Sequence, residues 1–291
     1  MSTAAVTRAR KSLAEAPWQL WASQFMAILR IEIKKNLWMR RSIWIYLLAF
    51  VPTVLFGIQA LMSPAGRNAN IGIADETRLF AYVFQIFYLR VAIFFGCMGL
   101  FTWLFRGEVV EKSLHYYFLS PVRRQLLVTA KFVAGLITAS LVFGSSILLG
   151  FTFAYSQYGK AGNDFVFNGP GFGQLMSYLL VTVLACLGFG SLFLALSLVF
   201  KNPILPGIVV LLWETFHAVA PPLLQKLSVS FYLTQLSPVT IPPEGLMALF
   251  TVIAEPVSPW LAIPGLICLS IAILVFACMR IRRTEVSYLA D

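Results

Sequence analysis

Six stretches of mostly apolar residues, at about 42–62, 79–105, 125–156, 174–200, 203–220 and 258–279, alternate with short polar connections. A hydrocarbon layer about 30 Å thick needs roughly 20 apolar residues of helix, so each stretch predicts a transmembrane span. The fold class expected is all-α: a polytopic membrane protein with six transmembrane helices. Residues 17–41 carry a different pattern, with Trp18, Trp21, Phe25, Leu29 and Ile33 at steps of three and four and Arg30 and Lys34 toward the other side. That periodicity predicts an N-terminal amphipathic helix lying at the membrane interface, preceded by a flexible tail over 1–16. Residues 221–257 break the rhythm again. Two apolar pieces, 222–233 and 245–254, are too short to cross and are separated by Pro238, Pro242 and Pro243, which predicts outer re-entrant or surface helices before the last span. Pro221 and Pro222 remove two adjacent backbone donors and so end the fifth span.

Composition agrees with a membrane protein: 59% of the 291 residues are hydrophobic and only 12% are charged, with a mean hydropathy of +0.82. The net charge of +10 orients the chain. Lys and Arg crowd the segment before residue 42, the connection between spans two and three, Lys201 and the stretch 280–283, whereas the opposite connections hold Arg67, Arg78, Lys160 and Lys226. Because positive residues stay on the cytoplasmic side, both termini are expected there, in a cell (inner) membrane. The cations sit at span ends and form no continuous stripe, so no nucleic-acid partner is expected. Cys97, Cys186, Cys268 and Cys278 all fall in apolar runs at spacings that match no metal or redox motif. A cleavable leader is not expected either, because the first apolar run starts only after some forty residues and has the length of a full span.

The residue inventory argues against an enzyme. His115 and His217 are too few for a metal cluster, and Gly159-Lys160 lacks the flanking residues of a phosphate-binding loop, so no cofactor is expected to bind directly. Ionisable residues inside spans are functional candidates by default, which singles out Arg90, Glu214 and His217. At about 1.5 Å per residue, Arg90 and Glu214 stand at similar depths, roughly 24 and 20 Å from their basic anchors Arg106 and Lys201. They are expected either to pair across spans two and five, lining a cavity or gate, or to act separately, with Arg90 reaching the outer headgroups. Phe87 and Phe94, with Phe84, Tyr88 and Phe95, form either an apolar pocket or ordinary packing. Gly188, Gly190, Ser191, Ser146 and Gly150 permit close helix approach.

The segment 106–124 is the charged exception between two apolar runs. Leu114, Tyr117 and Phe118 recur at near-helical spacing among Glu108, Glu111, Lys112, Arg123 and Arg124, predicting a short cytoplasmic helix that another protein grips. Ser120-Pro121 is the expected start of the third span, since Ser caps helices and Pro favours their first position. Arg123 and Arg124 then oppose the helix dipole, so another need must place them there. Glu108-x-x-Glu111-Lys112 followed by Leu119-Ser120-Pro121-Val122-Arg123-Arg124-x-Leu126-Leu127-x-x-x-Lys131 resembles the coupling loop of type-two ABC transporter permeases, the membrane subunits of many bacterial ABC exporters.

The resemblance covers the whole chain and implies a six-span permease domain over 42–291 with the type V exporter fold, its connecting helix at 17–41, its coupling segment at 106–124 and its re-entrant region at 221–257. It further implies a homodimer, or a pairing with a related permease, driven by a separate cytoplasmic ATP-binding cassette subunit that carries the ATP and Mg. Carried onto this chain, Glu108, Glu111, Lys112, Tyr117, Arg123 and Arg124 become the ATPase contacts, and Arg90, Glu214, His217, Phe87 and Phe94 the cavity or gate. The competing reading is a non-transporting scaffold or anchor subunit of a larger complex.

Overall fold

A computed structural model of the chain describes residues 17–39, 42–62, 72–110, 123–200, 202–239 and 258–282. Regular structure among them is helical throughout. Helix α1 is Pro17–Trp38 and α2 is Ser42–Met62. Helix α3 is one rod made of Ile73–Tyr82, a π-helical stretch Val83–Ile93, and Phe94–Val110. Then come α4 (Arg124–Ser156), α5 (Gly171–Val199), α6 (Ile204–Phe216), α7 (Val229–Leu236) and α8 (Pro259–Arg282).

Five of these helices are long and apolar enough to cross a bilayer: α2, α3, α4, α5 and α8. The protein is therefore membrane-embedded. The run 203–220 differs from expectation. Its α-helix covers 13 residues and tightens into a 3-10 turn at His217–Val219 before Pro221. About 1.5 Å per residue makes α6 roughly 20 Å long, short of a hydrocarbon layer of about 30 Å. Helix α3 instead starts earlier than the apolar pattern suggests, because Asp75 and Glu76 sit in its first turn, where the helix dipole favours acids.

Helices α4 and α5 form the centre, with α3 against both and α2 and α8 outside them. Rings from α3, α4 and α5 interlock along the middle: Phe80 lies edge-on to Phe151 and Tyr178, and Phe94 to Phe189 and Phe193. Such pairs add about 0.5–1.5 kcal/mol each to the burial of their area. Cys97 and Cys186 are buried in the same core as free thiols.

Three hydroxyls pin α2 to its neighbours. Ser146 Oγ donates to the Ala49 carbonyl at 2.6 Å and Thr53 Oγ1 donates to the Ser146 carbonyl at 2.8 Å. Both protons are then committed, so Tyr88 OH donates into the same cluster, 3.0 Å from Ser146 Oγ and 3.2 Å from Thr53 Oγ1. The cluster lies beside Pro52, whose ring denies one backbone bond to α2. At the end away from the basic residues, Gln59 and Tyr158 both donate to Glu76 Oε2, at 3.4 and 3.2 Å, tying α2 and the turn after α4 to the start of α3. Burial and the Glu76 charge push the Tyr158 phenol up to about 12, so it remains a donor. That turn reverses at Gly159, whose φ of 57° suits a residue without a Cβ.

The eight-residue α7 is set into the bundle against α5 and α8. Close approach there requires Gly188, because a Cβ at that position would stand 2.6 Å from Val229 Cγ1. Gly188→Val is expected to displace α7 and to cost about 1–3 kcal/mol, as overpacking of a filled core does. Thermal unfolding in detergent checks the loss, and unchanged stability would mean that α7 does not seat on α5.

Candidate functional site: a buried ionic latch at the basic end

Helix α1 does not cross its neighbours at a distance. It runs lengthwise beside the first half of α4, and its contacts advance in step. The Arg123 guanidinium stands 4.0 Å from the Trp21 ring centroid, Glu32 meets Lys131, and Asn36 shares a cavity wall with Thr138 and Ala139. The side of α1 facing α4 is thus Trp21, Phe25, Ile28, Glu32 and Asn36, whose steps of four and three make one helical stripe. Its last members, Glu32 and Asn36, are polar and buried, whereas Arg30 and Lys34 are exposed.

Lys131 is the centre of this junction. It is 0% exposed, and its ammonium donates to Glu32 Oε1 at 2.6 Å, to Glu108 Oε1 at 2.6 Å and to the Leu104 carbonyl at 3.2 Å. An ammonium has three protons, and all three are placed. Glu32 and Glu108 are each 1% exposed, and Lys35 adds a longer contact to Glu108 Oε1 at 3.5 Å. Two carboxylates against two ammonium groups leave the cluster neutral, the condition under which charges survive burial. The Phe105 ring, 5.5 Å from Lys131 Nζ, closes one side.

This geometry corrects one expectation. Glu108 is not a surface contact, because its carboxylate is consumed inside the protein. Arg123 and Arg124 stay exposed, and each has an internal use that explains its position at the start of α4. Arg123 is extended, with ψ of 130°, and occupies the N-cap in place of the expected Ser120, which lets its side chain reach Trp21. Arg124 donates to the Ile281 carbonyl at 3.5 Å, placing a cation at the C-terminal end of α8, where the dipole favours it. Glu111, Lys112 and Tyr117, with Ser120 and Pro121, lie outside the described residues.

The second group of candidates separates. Glu214 is buried, and its carboxylate faces the start of α7. Oε2 accepts from Ser228 Oγ and from the Ser230 N–H, each at 2.8 Å, and Oε1 accepts from the Val229 N–H at 3.1 Å. Ser228 Oγ in turn accepts from the Phe231 N–H at 3.3 Å. One acid from α6 thus caps a helix that would otherwise begin with orphan donors in an apolar setting. Arg90 is exposed, and the expected Arg90–Glu214 ion pair is not formed. His217 Nδ1 lies 2.7 Å from the Glu214 carbonyl, an oxygen that only accepts, so Nδ1 carries the proton. Phe94 is buried ring-on-ring between α3 and α5, and half-buried Phe87 packs edge-on to Tyr88. Phe94 and Glu214 are both buried, the one in ring packing and the other in capping.

No protein-family model matches this chain, and no curated protein matches it either. Glu32 and Asn36 escaped the sequence reading because each sits alone among apolar and basic neighbours. The available signal was the i, i+4 continuation of the apolar stripe from Ile28.

Proposed function

We propose that the protein is the permease subunit of an ABC transporter, moving an unidentified substrate outward and driven by a separate cytoplasmic ATP-binding subunit. The observation that carries this reading is the latch. Glu108 closes the end of α3 and Lys131 stands two turns into α4, so the polar segment between them joins two helices already clamped to each other and to α1 through Glu32. A push on that segment is delivered to three helices as one body. This is the property required of an input lever, and a static anchor has no need of it.

In this reading ATP-driven closure of two partner subunits moves the segment 111–122, and the clamped α1, α3 and α4 rock against the rest of the bundle. The basic end faces the cytoplasm, as the positive residues require. Two copies, or one copy and a related permease, enclose the path. Helix α6 with the turns that follow it and α7 takes the place of the fifth span and the re-entrant region. Glu111, Lys112, Tyr117, Arg123 and Arg124 remain the contact candidates, with Arg123 and Arg124 supplying exposed positive charge beside the segment.

The test is copurification of the full chain with an ATP-binding cassette ATPase, followed by reconstitution and measurement of ATP hydrolysis. Hydrolysis stimulated by the membrane subunit and lost in Glu111→Lys is the expected result. A stable complex with no ATPase in it would favour the scaffold reading.

A further inference from the structure

A groove of about 410 Å³ opens at the basic end between α1, α2 and α3, lined by Asn36 and Met39, Trp44 and Leu48, and Phe95 and Gly99 among others. Its size lies within the roughly 300–1,000 Å³ range of small-molecule sites, and its walls are mostly apolar with a few polar groups, as such sites are. One polar group is incomplete. Asn36 is 7% exposed, and its Nδ2 has no hydrogen-bond partner, although a buried donor left unmet is destabilising. Its backbone carbonyl is already taken by Ser42 Oγ, which fixes the turn that carries the side chain.

We propose that this groove holds one acyl chain of a bilayer phospholipid, with the glycerol ester carbonyl accepting from Asn36 Nδ2. Three observations select this occupant. The rim is exposed and apolar, with Trp44 and Phe95 both lining the groove and open to the surroundings, so the bilayer itself is what meets the mouth. The polarity runs the right way: the orphan donor stands at the basic end, and α3 carries the wall from Trp103 to Phe95, about 12 Å toward the middle of the bundle. Trp44, Val51 and Leu55 share one exposed face of α2 and continue the apolar track beyond the groove. A ligand with an oxygen acceptor at one end and a hydrocarbon tail toward the membrane centre has the architecture of a lipid. The inference does not depend on the permease reading.

The experiment uses the full chain in nanodiscs of phosphatidylethanolamine and phosphatidylglycerol containing a phosphatidylglycerol with a diazirine on one acyl chain. After illumination, labelled peptides are mapped by mass spectrometry. Labelling concentrated on 42–48 and 95–103, above that on the exposed face of α8, is expected. Gly99→Leu fills the groove without disturbing the fold, because a Cβ at Gly99 meets no atom within 4 Å. It is expected to lower the groove labelling about tenfold, and Asn36→Leu to lower it about threefold, with labelling of α8 unchanged. Labelling spread evenly over α2 and α8, unaffected by Gly99→Leu, would overturn the proposal in favour of ordinary annular lipid. Protein–protein adducts through the same peptides would overturn it in favour of a second copy seated there.

Discussion

Replacing Lys131 by methionine is expected to be the most damaging single substitution in the described part of the chain, costing about 3–5 kcal/mol, because it leaves two buried carboxylates facing each other without their shared cation. Glu32 Oε1 and Glu108 Oε1 both approach Lys131 Nζ at 2.6 Å, so the loss falls on both at once. Glu32→Gln alone and Glu108→Gln alone are expected to cost less, since Lys131 then keeps one carboxylate and the amide oxygen still accepts. The triple variant Glu32→Gln/Lys131→Met/Glu108→Gln removes every charge in direct contact with Nζ and is expected to recover most of the stability, as buried ion triads replaced by neutral groups often do. Unfolding midpoints in detergent and the yield of monodisperse protein read these effects. The triple variant also separates fold from transmission. If the latch serves only stability, ATPase stimulation returns with the midpoint; the lever reading expects the midpoint to return and stimulation to stay low. A single Lys131→Met variant as stable as the parent would mean that the ion cluster contributes nothing to the stability of the folded protein.

The latch also marks the boundary of what this sequence discloses. Spans α2, α3, α4, α5 and α8 were legible because a bilayer demands long apolar helices whatever their neighbours are. Helix α1 was legible as a helix, since its apolar residues repeat every three or four positions. The direction in which it packs was not. Glu32 and Lys131 are 99 residues apart, and nothing local to either tells that one ammonium will join them. Arg123 and Arg124 looked misplaced at a helix start because their compensation comes from Trp21 and from the end of α8, both distant in sequence. Ionisable residues in apolar runs stand out in the sequence, yet matching depths misled the pairing of Arg90 with Glu214. Depth along a helix is local arithmetic, whereas the azimuth at which a side chain leaves the helix, and the donors waiting there, belong to packing.

Glu214→Leu is expected to unseat α7 while leaving the five long helices in place. The substitution deprives three donors of their acceptor: Ser228 Oγ and the N–H groups of Val229 and Ser230. A hydrogen bond to a charged group contributes about 1.5–3 kcal/mol, and the three bonds share one carboxylate and are not additive, so a loss of about 2–4 kcal/mol is expected. Water does not replace the lost acceptor cheaply in an apolar setting. The signature is local. Hydrogen exchange measured by mass spectrometry should accelerate in peptides covering 228–236, with little change in α4 or α5. Glu214→Gln is the discriminating control: it keeps one oxygen but turns an amide N–H₂ toward backbone donors, so it should accelerate exchange less than leucine does and more than the parent. Arg90→Ala should leave the same peptides protected, because Arg90 is exposed and takes no part in the cap. Reversing both charges, Arg90→Glu with Glu214→Arg, should restore nothing, since an arginine at 214 offers only donors to a helix start that already has too many. Rescue by that double reversal would reinstate the ion pair and remove the capping role assigned to Glu214.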